Sequence, residues 1–305
     1  MNLPNTEKKI NFFDPEITQK KKLVDNKFQL VPGTNIPLPS EVEISESGTC
    51  NRVCSFCPRS DPNYLDIKEF INLELHKKLC TELAELNFSG TLRYSGFVEP
   101  LLDVNIFNLL KDARALLKEA NLAMVTNGDV LNTNRLMQLF QSGLNKLFIS
   151  VYDGSEDVKK FIKMRSEAKL TNEEVIIRDR SLPPEKDFGL TISNRAGMLK
   201  NAVHKILPLN KKLNHPCYYP GYTFFMDYNG DVLMCAHDWG KKRILGNLNR
   251  NSFMKIWLSQ IANISRKKLN NGDRGLSPCN VCDVHGTLIG EKHSKTWEKY
   301  YEKKL

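Results

Sequence analysis

No stretch of this chain approaches the ~20 consecutive apolar residues that a membrane-spanning helix needs. The first 22 residues are polar and charged, without the apolar core of a secretory signal. Basic residues are not interleaved with aromatics as in a nucleic-acid groove, and no internal repeat or low-complexity tract interrupts the chain. Acidic charge is in deficit, with 35 Asp and Glu against 44 Lys and Arg. The excess is scattered in short groups such as Lys20, Lys21 and Lys22 or Lys241, Lys242 and Arg243, which read first as a solvated face. Attraction for an anionic substrate, such as a phosphorylated or nucleotide-linked sugar, is the second reading. These absences point to the cytoplasm, with no nucleic-acid or membrane partner. In that reducing compartment eight cysteines serve more readily as metal ligands than as disulfides. With 305 residues, 41% of them apolar, the chain can bury a full core, expected as one large domain and a smaller one.

From about residue 41 short β-type runs alternate with helical patterns. Strands are expected over 41–45, 91–95, 123–126, 146–152, 175–178 and 190–193, and helices over 72–86, 106–119, 134–140 and 158–165. Such alternation implies a parallel sheet with chemistry at the C-terminal strand ends. About six units are too few for a closed eightfold barrel. The expected fold is therefore α/β, a partial (β/α)6 TIM-type barrel over 41–210, with residues 1–40 as an extension packed on its surface. After Pro208 the periodicity breaks. Two β-type runs flank Asn229-Gly230, a strong hairpin signal, and 252–261 reads as a helix with Phe253, Ile256 and Trp257 on one face. This predicts a small C-terminal β-hairpin/helix module over 211–290 and a tail over 291–305.

Seven cysteines fall into two groups. The run Cys50-Asn51-Arg52-Val53-Cys54-Ser55-Phe56-Cys57-Pro58 places three thiols on one loop after the first strand. Three thiolates so close can hold three corners of a cubane iron–sulfur cluster, leaving one iron without a protein ligand. A cluster that only carries electrons takes four thiolates, and structural zinc also takes four ligands. The second group is Cys217-x17-Cys235 with Cys279-x2-Cys282. The hairpin brings Cys235 back toward Cys217, so that four thiolates make a closed site. That site reads as a second cluster, with structural zinc as the alternative. Cys80 lies among Leu75, Leu79, Leu83 and Leu86 at helical spacing and is expected in the core.

The triplet, with aromatic Phe56 before its last cysteine, resembles the signature of the radical S-adenosylmethionine (SAM) enzymes. In that family the open iron is chelated by SAM, and reduction of the cluster releases a 5′-deoxyadenosyl radical that abstracts hydrogen from substrate. The resemblance extends to strand ends. Ser95-Gly96-Phe97-Val98-Glu99-Pro100 resembles the family's Gly-Gly-Glu-Pro-like stretch, with Phe97-Val98 in place of the second glycine. Thr126-Asn127-Gly128 and Ser150-Val151-Tyr152-Asp153 follow the third and fourth strands. The resemblance implies SAM contacts from Phe56, Gly96, Glu99, Pro100, Asn127, Ser150 (ribose) and Arg165 (carboxylate). Gly246-Asn247-Leu248, Ser252-Phe253 and Ile256-Trp257 resemble the auxiliary-cluster module of the SPASM/twitch subgroup, in its shorter twitch form. Two [4Fe–4S] clusters and SAM are then the implied cofactors, with Cys50, Cys54 and Cys57 on the first cluster and Cys217, Cys235, Cys279 and Cys282 on the second.

Within that subgroup the layout resembles a dehydrogenase that oxidises a secondary alcohol of an aminocyclitol. The implied reaction is hydrogen abstraction from a hydroxylated small molecule (cyclitol, aminocyclitol or sugar), with oxidation to a ketone assisted by the second cluster. Arg195, in Asn194-Arg195-Ala196-Gly197, corresponds to a substrate-binding arginine, and His237-Asp238-Trp239 could face substrate. The implied electron donor is a flavodoxin or ferredoxin. A peptide-modifying maturase or sugar epimerase is the alternative within the family. A non-catalytic iron–sulfur or zinc protein is the alternative outside it.

Overall fold

The fold is described from a computed structural model, which covers residues 15–183, 186, 189–201, 206 and 209–303. In chain order the strands are β1 (Glu41–Ser45), β2 (Ser47–Gly48), β3 (Ile67–Phe70), β4 (Thr91–Tyr94), β5 (Asn121–Thr126), β6 (Lys146–Val151), β7 (Val175–Asp179), β8 (Thr223–Asp227), β9 (Asp231–Leu233) and β10 (Ile244–Asn247). The helices are α1 (Pro15–Asn26), α2 (Leu73–Glu85), α3 (Ile106–Leu116), α4 (Thr133–Gln141), α5 (Ser155–Glu167), α6 (Tyr219–Tyr222), α7 (Phe253–Trp257), α8 (Gln260–Asn270) and α9 (Glu291–Glu302).

One eight-stranded sheet runs in the order β10-β9-β8-β1-β4-β5-β6-β7. The six strands from β8 to β7 are parallel, and β9 and β10 extend the sheet as antiparallel strands. Alternation sets the two faces of each strand. Val42, Ile44, Leu92, Leu122, Met124 and Leu147 face the helical layer and join Leu75, Leu79, Leu83, Leu109 and Leu136 in the main core. On the other face Ala123, Phe148 and Ile176 form a small apolar patch within the lumen, beside the polar Glu43, Arg93 and Arg178. Helix starts follow local capping: the Asn72 side chain accepts from the Glu74 N–H, Asn132 from Arg135 and Ser252 from Lys255. Cys80 is buried in α2 as expected.

Five expectations are corrected or refined. Residues 190–193 form no strand. The sixth parallel strand is β8, expected only as one arm of a hairpin. It is that arm, pairing with β9 through Phe225 and Leu233, but its other edge pairs in parallel with β1 from Glu41–Thr223 to Ser45–Asp227. A strand has two hydrogen-bonding edges, and a short-range turn signal reports on only one. The sheet therefore does not stop near residue 210. The helix expected over 252–261 is two helices, with Ser259 capping the second. Residues 291–303 are no loose tail, since Trp297 is buried and donates its indole N–H to the Gly221 carbonyl at 2.9 Å. The guanidinium of Arg266 lies between Trp257 and Trp297, 3.9 and 4.2 Å from the ring centres. Finally, the extension contains α1, which buries Val24 against Tyr222 and Ile289 and sends Lys20 to Glu41 (2.7 Å) at the end of the lumen.

Candidate active site

Cys50, Cys54 and Cys57 lie on the loop between β2 and β3, at the C-terminal end of β1. The Cys57 N–H donates to the Cys54 carbonyl (2.9 Å), which curls the loop and leads into a 3-10 turn at Pro58–Ser60. Two arginines, Arg52 within the motif and Arg59 just after it, tie the loop to different neighbours. Arg59 is buried and donates to the Phe97 carbonyl (2.9 Å), the Gly48 carbonyl (2.9 Å) and Asp66 (2.7 Å). Arg52 is partly exposed and bridges Asp129 (2.7 Å from Nε) and Asp153 (3.2 Å from Nη1), beyond the ends of β5 and β6. Burial, and then the neighbouring thiols, raise Cys54 to about 11. Burial likewise raises Cys50 and Cys57. Apo thiols are thus protonated at neutral pH, and loading a metal group would displace those protons.

The strand ends converge on this loop. Asn127, after β5, donates to the Asn51 side chain at 2.8 Å. The Glu99 N–H donates to the Thr49 carbonyl at 3.1 Å. Glu99 itself is only 2% exposed, with carboxylate oxygens accepting from the Thr126 hydroxyl (2.5 Å), the Asn127 N–H (2.7 Å) and the Leu101 N–H (3.1 Å). Burial outweighs these donors and raises its pKa to about 7. Its oxygens accept three hydrogen bonds within the protein, which tie the Glu99 side chain to Thr126, Asn127 and Leu101. Gly96 adopts φ +101°, and an added Cβ would come within 3.0 Å of both the Phe225 ring and Ser45. Phe56 packs on Tyr152 with ring centres 5.0 Å apart. The Ser150 hydroxyl accepts from Arg178 at 2.6 Å.

Arg165 is the exception. Its guanidinium donates to the carbonyl of Val175, the first residue of β7, at the end of the sheet away from the cysteine loop. The helical register that carries Arg165 delivers it to the N-terminal edge of β7. Arg178, three residues further along that strand and beside Ser150, occupies the lumen side instead.

The second cysteine group is assembled from three separated segments. Cys217, Cys279 and Cys282 are 8%, 8% and 7% exposed. Burial and then mutual repulsion raise Cys279 to about 12 and Cys282 to about 11, and push Cys235 well up. Buried Arg274 holds the segments by donating to the carbonyls of His215 (3.1 Å), Pro216 (3.1 Å), Val284 (3.1 Å) and His285 (2.8 Å). Its charge favours the thiolates of Cys217, Cys279 and Cys282. Gly286, at φ +82°, leaves no space for a Cβ, which would meet the Cys217 sulfur at 2.6 Å.

Arg195 lies between the two groups. Its charge favours the thiolate of Cys57 on one side and, after burial, disfavours protonation of His237, two residues from Cys235, on the other. Arg195 and Ala196 both adopt positive φ, 47° and 52°, a conformation that costs non-glycine residues energy and persists only when the surroundings enforce it. Here they do: the Asn194 N–H donates to both Asp283 oxygens (2.9 Å each) and its amide to the Val281 carbonyl (2.6 Å). The Arg195 Nε is buried and has no hydrogen-bond partner among the described residues. His237 meets the Ser193 hydroxyl at 3.3 Å and the edge of Tyr219, over which Lys20 is placed. Glu43, accepting from Ser95 at 2.6 Å, faces the same lumen. Arg59, Arg178, Arg274 and Glu43 were not singled out in the sequence. Only Arg59 carried a local signal, two positions after the last cysteine of the triplet.

The thiol sets suit iron–sulfur groups chemically, three leaving an iron open and four closing a site. Residues 44–176 match the radical SAM superfamily, and residues 217–283 match the iron–sulfur cluster-binding domain called SPASM. The chain thus carries a radical SAM domain and a SPASM domain, which together imply SAM and two [4Fe–4S] clusters as cofactors. Among individual proteins, it is similar to the S-adenosyl-L-methionine-dependent 2-deoxy-scyllo-inosamine dehydrogenase of Niallia circulans. The two are 29% identical over 246 residues, spanning 80% of this chain and 92% of that protein. It is also similar to the crystal structure of BtrN in complex with AdoMet and 2-DOIA, at TM-score 0.70 and 26% identity, covering 85% of this chain and 98% of that one. A structure of anSMEcpe with bound AdoMet, at TM-score 0.54 and 13% identity over 87% and 93% of the two chains, shares the fold. Among the described residues no helix is long and apolar enough to cross a membrane.

Proposed function

We propose that this chain is a dehydrogenase that oxidises one secondary alcohol of a hydroxylated small molecule, of the cyclitol, aminocyclitol or sugar class, to a ketone. The carrying observation is the place of Arg195: its charge reaches Cys57, its neighbour Asn194 is bonded to Asp283 and Val281 beside Cys282, and its buried Nε has no partner among the described residues. The similarity to the scyllo-inosamine dehydrogenase supports the same reading and favours an aminocyclitol. Turning CH–OH into C=O removes one hydrogen atom, one proton and one electron, so a reaction chamber between two redox groups suits it. When bound, the first cluster with SAM supplies the hydrogen-abstracting radical, and the second cluster supplies an acceptor for the electron.

The rest falls to the protein. Cys50, Cys54 and Cys57 would hold the first cluster, and Cys217, Cys235, Cys279 and Cys282 the second. Phe56, Gly96, Pro100, Asn127 and Ser150 would line the SAM site, with Glu99 positioning Asn127 behind them. Arg195 would donate to the substrate hydroxyl and orient its carbon. Guanidinium is a poor base, so the hydroxyl proton leaves through the polar lining that includes Ser193 and His237. His237 is held neutral, its pKa lowered to about 3 by burial and then by Arg195 and Lys20. Glu43 and Ser95 offer further partners for hydroxyl or amino groups. We place the enzyme in the cytoplasm, reduced by a flavodoxin or ferredoxin.

The test uses 2-deoxy-scyllo-inosamine deuterated at each carbinol carbon in turn, with reconstituted enzyme, SAM and dithionite. Deuterium should appear in 5′-deoxyadenosine from one position only, together with the ketone. Arg195→Ala should lower kcat/KM on the order of a hundredfold. Absence of deuterium transfer from this and related cyclitols, amino sugars and sugars would refute the substrate class.

A further inference from the structure

A compact aromatic cluster joins the two cysteine groups. Phe97, 3% exposed, packs against Phe225 (4.9 Å between ring centres) and Trp239 (4.6 Å), and Tyr64 closes on Trp239 at 5.9 Å. Cys57, Val98, Met198 and Ala236 border the same cluster. Its members thus come from the triplet loop, from the segment after β4, from β8 and from the stretch just after Cys235. The backbone of Phe97 is equally committed. Its N–H donates to the Ser45 hydroxyl (3.3 Å), and its carbonyl accepts from Arg59 (2.9 Å). Gly96, immediately before it, lies so close that an added Cβ would come within 3.0 Å of the Phe225 ring and Ser45. The segment from Gly96 to Pro100 is thus tied through the Phe97 ring to Trp239.

We propose that Trp239 is a positioning residue for SAM: acting through Phe97, it fixes the Gly96-to-Pro100 segment, so that the auxiliary module completes the SAM site. The proposal rests on the reading that this segment lies against the bound SAM. It also gives Phe97 a purpose at a position where the related motif has a small residue. A bulky ring replaces local compactness with an anchor supplied by the second module. Aromatic pairs of this geometry correspond to about a three- to tenfold change in an equilibrium constant.

The experiment measures SAM affinity of reconstituted, reduced enzyme by equilibrium dialysis and by the change SAM induces in the EPR spectrum of the reduced cluster. Trp239→Ala should weaken SAM about five- to tenfold and raise the KM for SAM. Turnover at saturating SAM should fall less than about twofold, with iron content unchanged. Trp239→Phe should restore affinity to within about twofold. Phe97→Leu should reproduce the effect from the other side, and the double variant should be no worse than the weaker single, because both remove one contact. If Trp239→Ala loses iron, Phe97→Leu carries the test, since it lies outside the auxiliary module. Wild-type SAM affinity in a fully loaded Trp239→Ala or Phe97→Leu protein overturns the proposal. Gly96→Ala separates the two levels. If it weakens SAM while the aromatic variants do not, the coupling is wrong and the segment reading stands. If it leaves SAM binding intact, the segment reading fails as well.

Discussion

The two cysteine groups sit toward opposite ends of the parallel strands, the triplet beyond the end of β1 and Cys217 and Cys235 level with the start of β8, and they are built in opposite ways. Cys50, Cys54 and Cys57 come from eight consecutive residues of one loop, remain partly accessible, and are held by Arg52 within the motif and Arg59 two residues after it. Cys217, Cys235, Cys279 and Cys282 come from three segments, three of the four are buried, and they are held by Arg274, which lies outside every spacing motif. A local loop can leave an edge of its contents open for a small molecule. A site closed by distant segments is encapsulated, which suits electron storage more than chemistry.

Breaking each group in turn gives the largest expected effects. Cys54→Ala should abolish 5′-deoxyadenosine formation, a loss on the order of a thousandfold or more, and lower iron from about eight to about four per chain. Cys282→Ala should keep SAM cleavage but uncouple it, so that 5′-deoxyadenosine forms with little ketone. Iron analysis and product quantification check both, and equal behaviour of the two variants would remove the division of labour. Next in size is Arg274→Met, which strips four carbonyls of their charged donor around Cys217 and Cys282. It should destabilise the protein by about 3 kcal/mol and empty the second site selectively, as read by calorimetry and iron content. The smallest effect is expected at Arg52→Ala. Its ion pairs with Asp129 and Asp153 are partly exposed, and screening holds their worth to about 1 kcal/mol or less. A melting shift that shrinks further in high salt would sharpen the comparison. A loss as large as that of Arg274→Met would break it.

The strands β1 and β4 to β7 and the helices α2 to α5 were legible in the sequence because hydrophobic period and capping act over a few residues, whereas the short β2 and β3 were not read. The triplet was legible for the same reason. Where interactions are long-range the pattern misled. Residues 190–193 carry a β-type run but find no sheet edge, whereas β8, read as a hairpin arm, also fills the edge of β1. Arg165 stood in a plausible motif position but faces the Val175 carbonyl. Trp297 lies in a stretch rich in charge, and burial beneath it becomes visible only once α6 and α8 are placed.

By itself the sequence determined the class of chemistry, since three thiols at x3 and x2 spacing on a loop specify an open iron whatever surrounds them. It also determined that a second, four-thiol site exists. The tertiary structure decided which residues lie near both. Arg195 between them, Arg274 around one and the Phe97–Trp239 contact across them join residues that are distant in the chain. Their pairing depends on sheet order and burial, which no local pattern encodes.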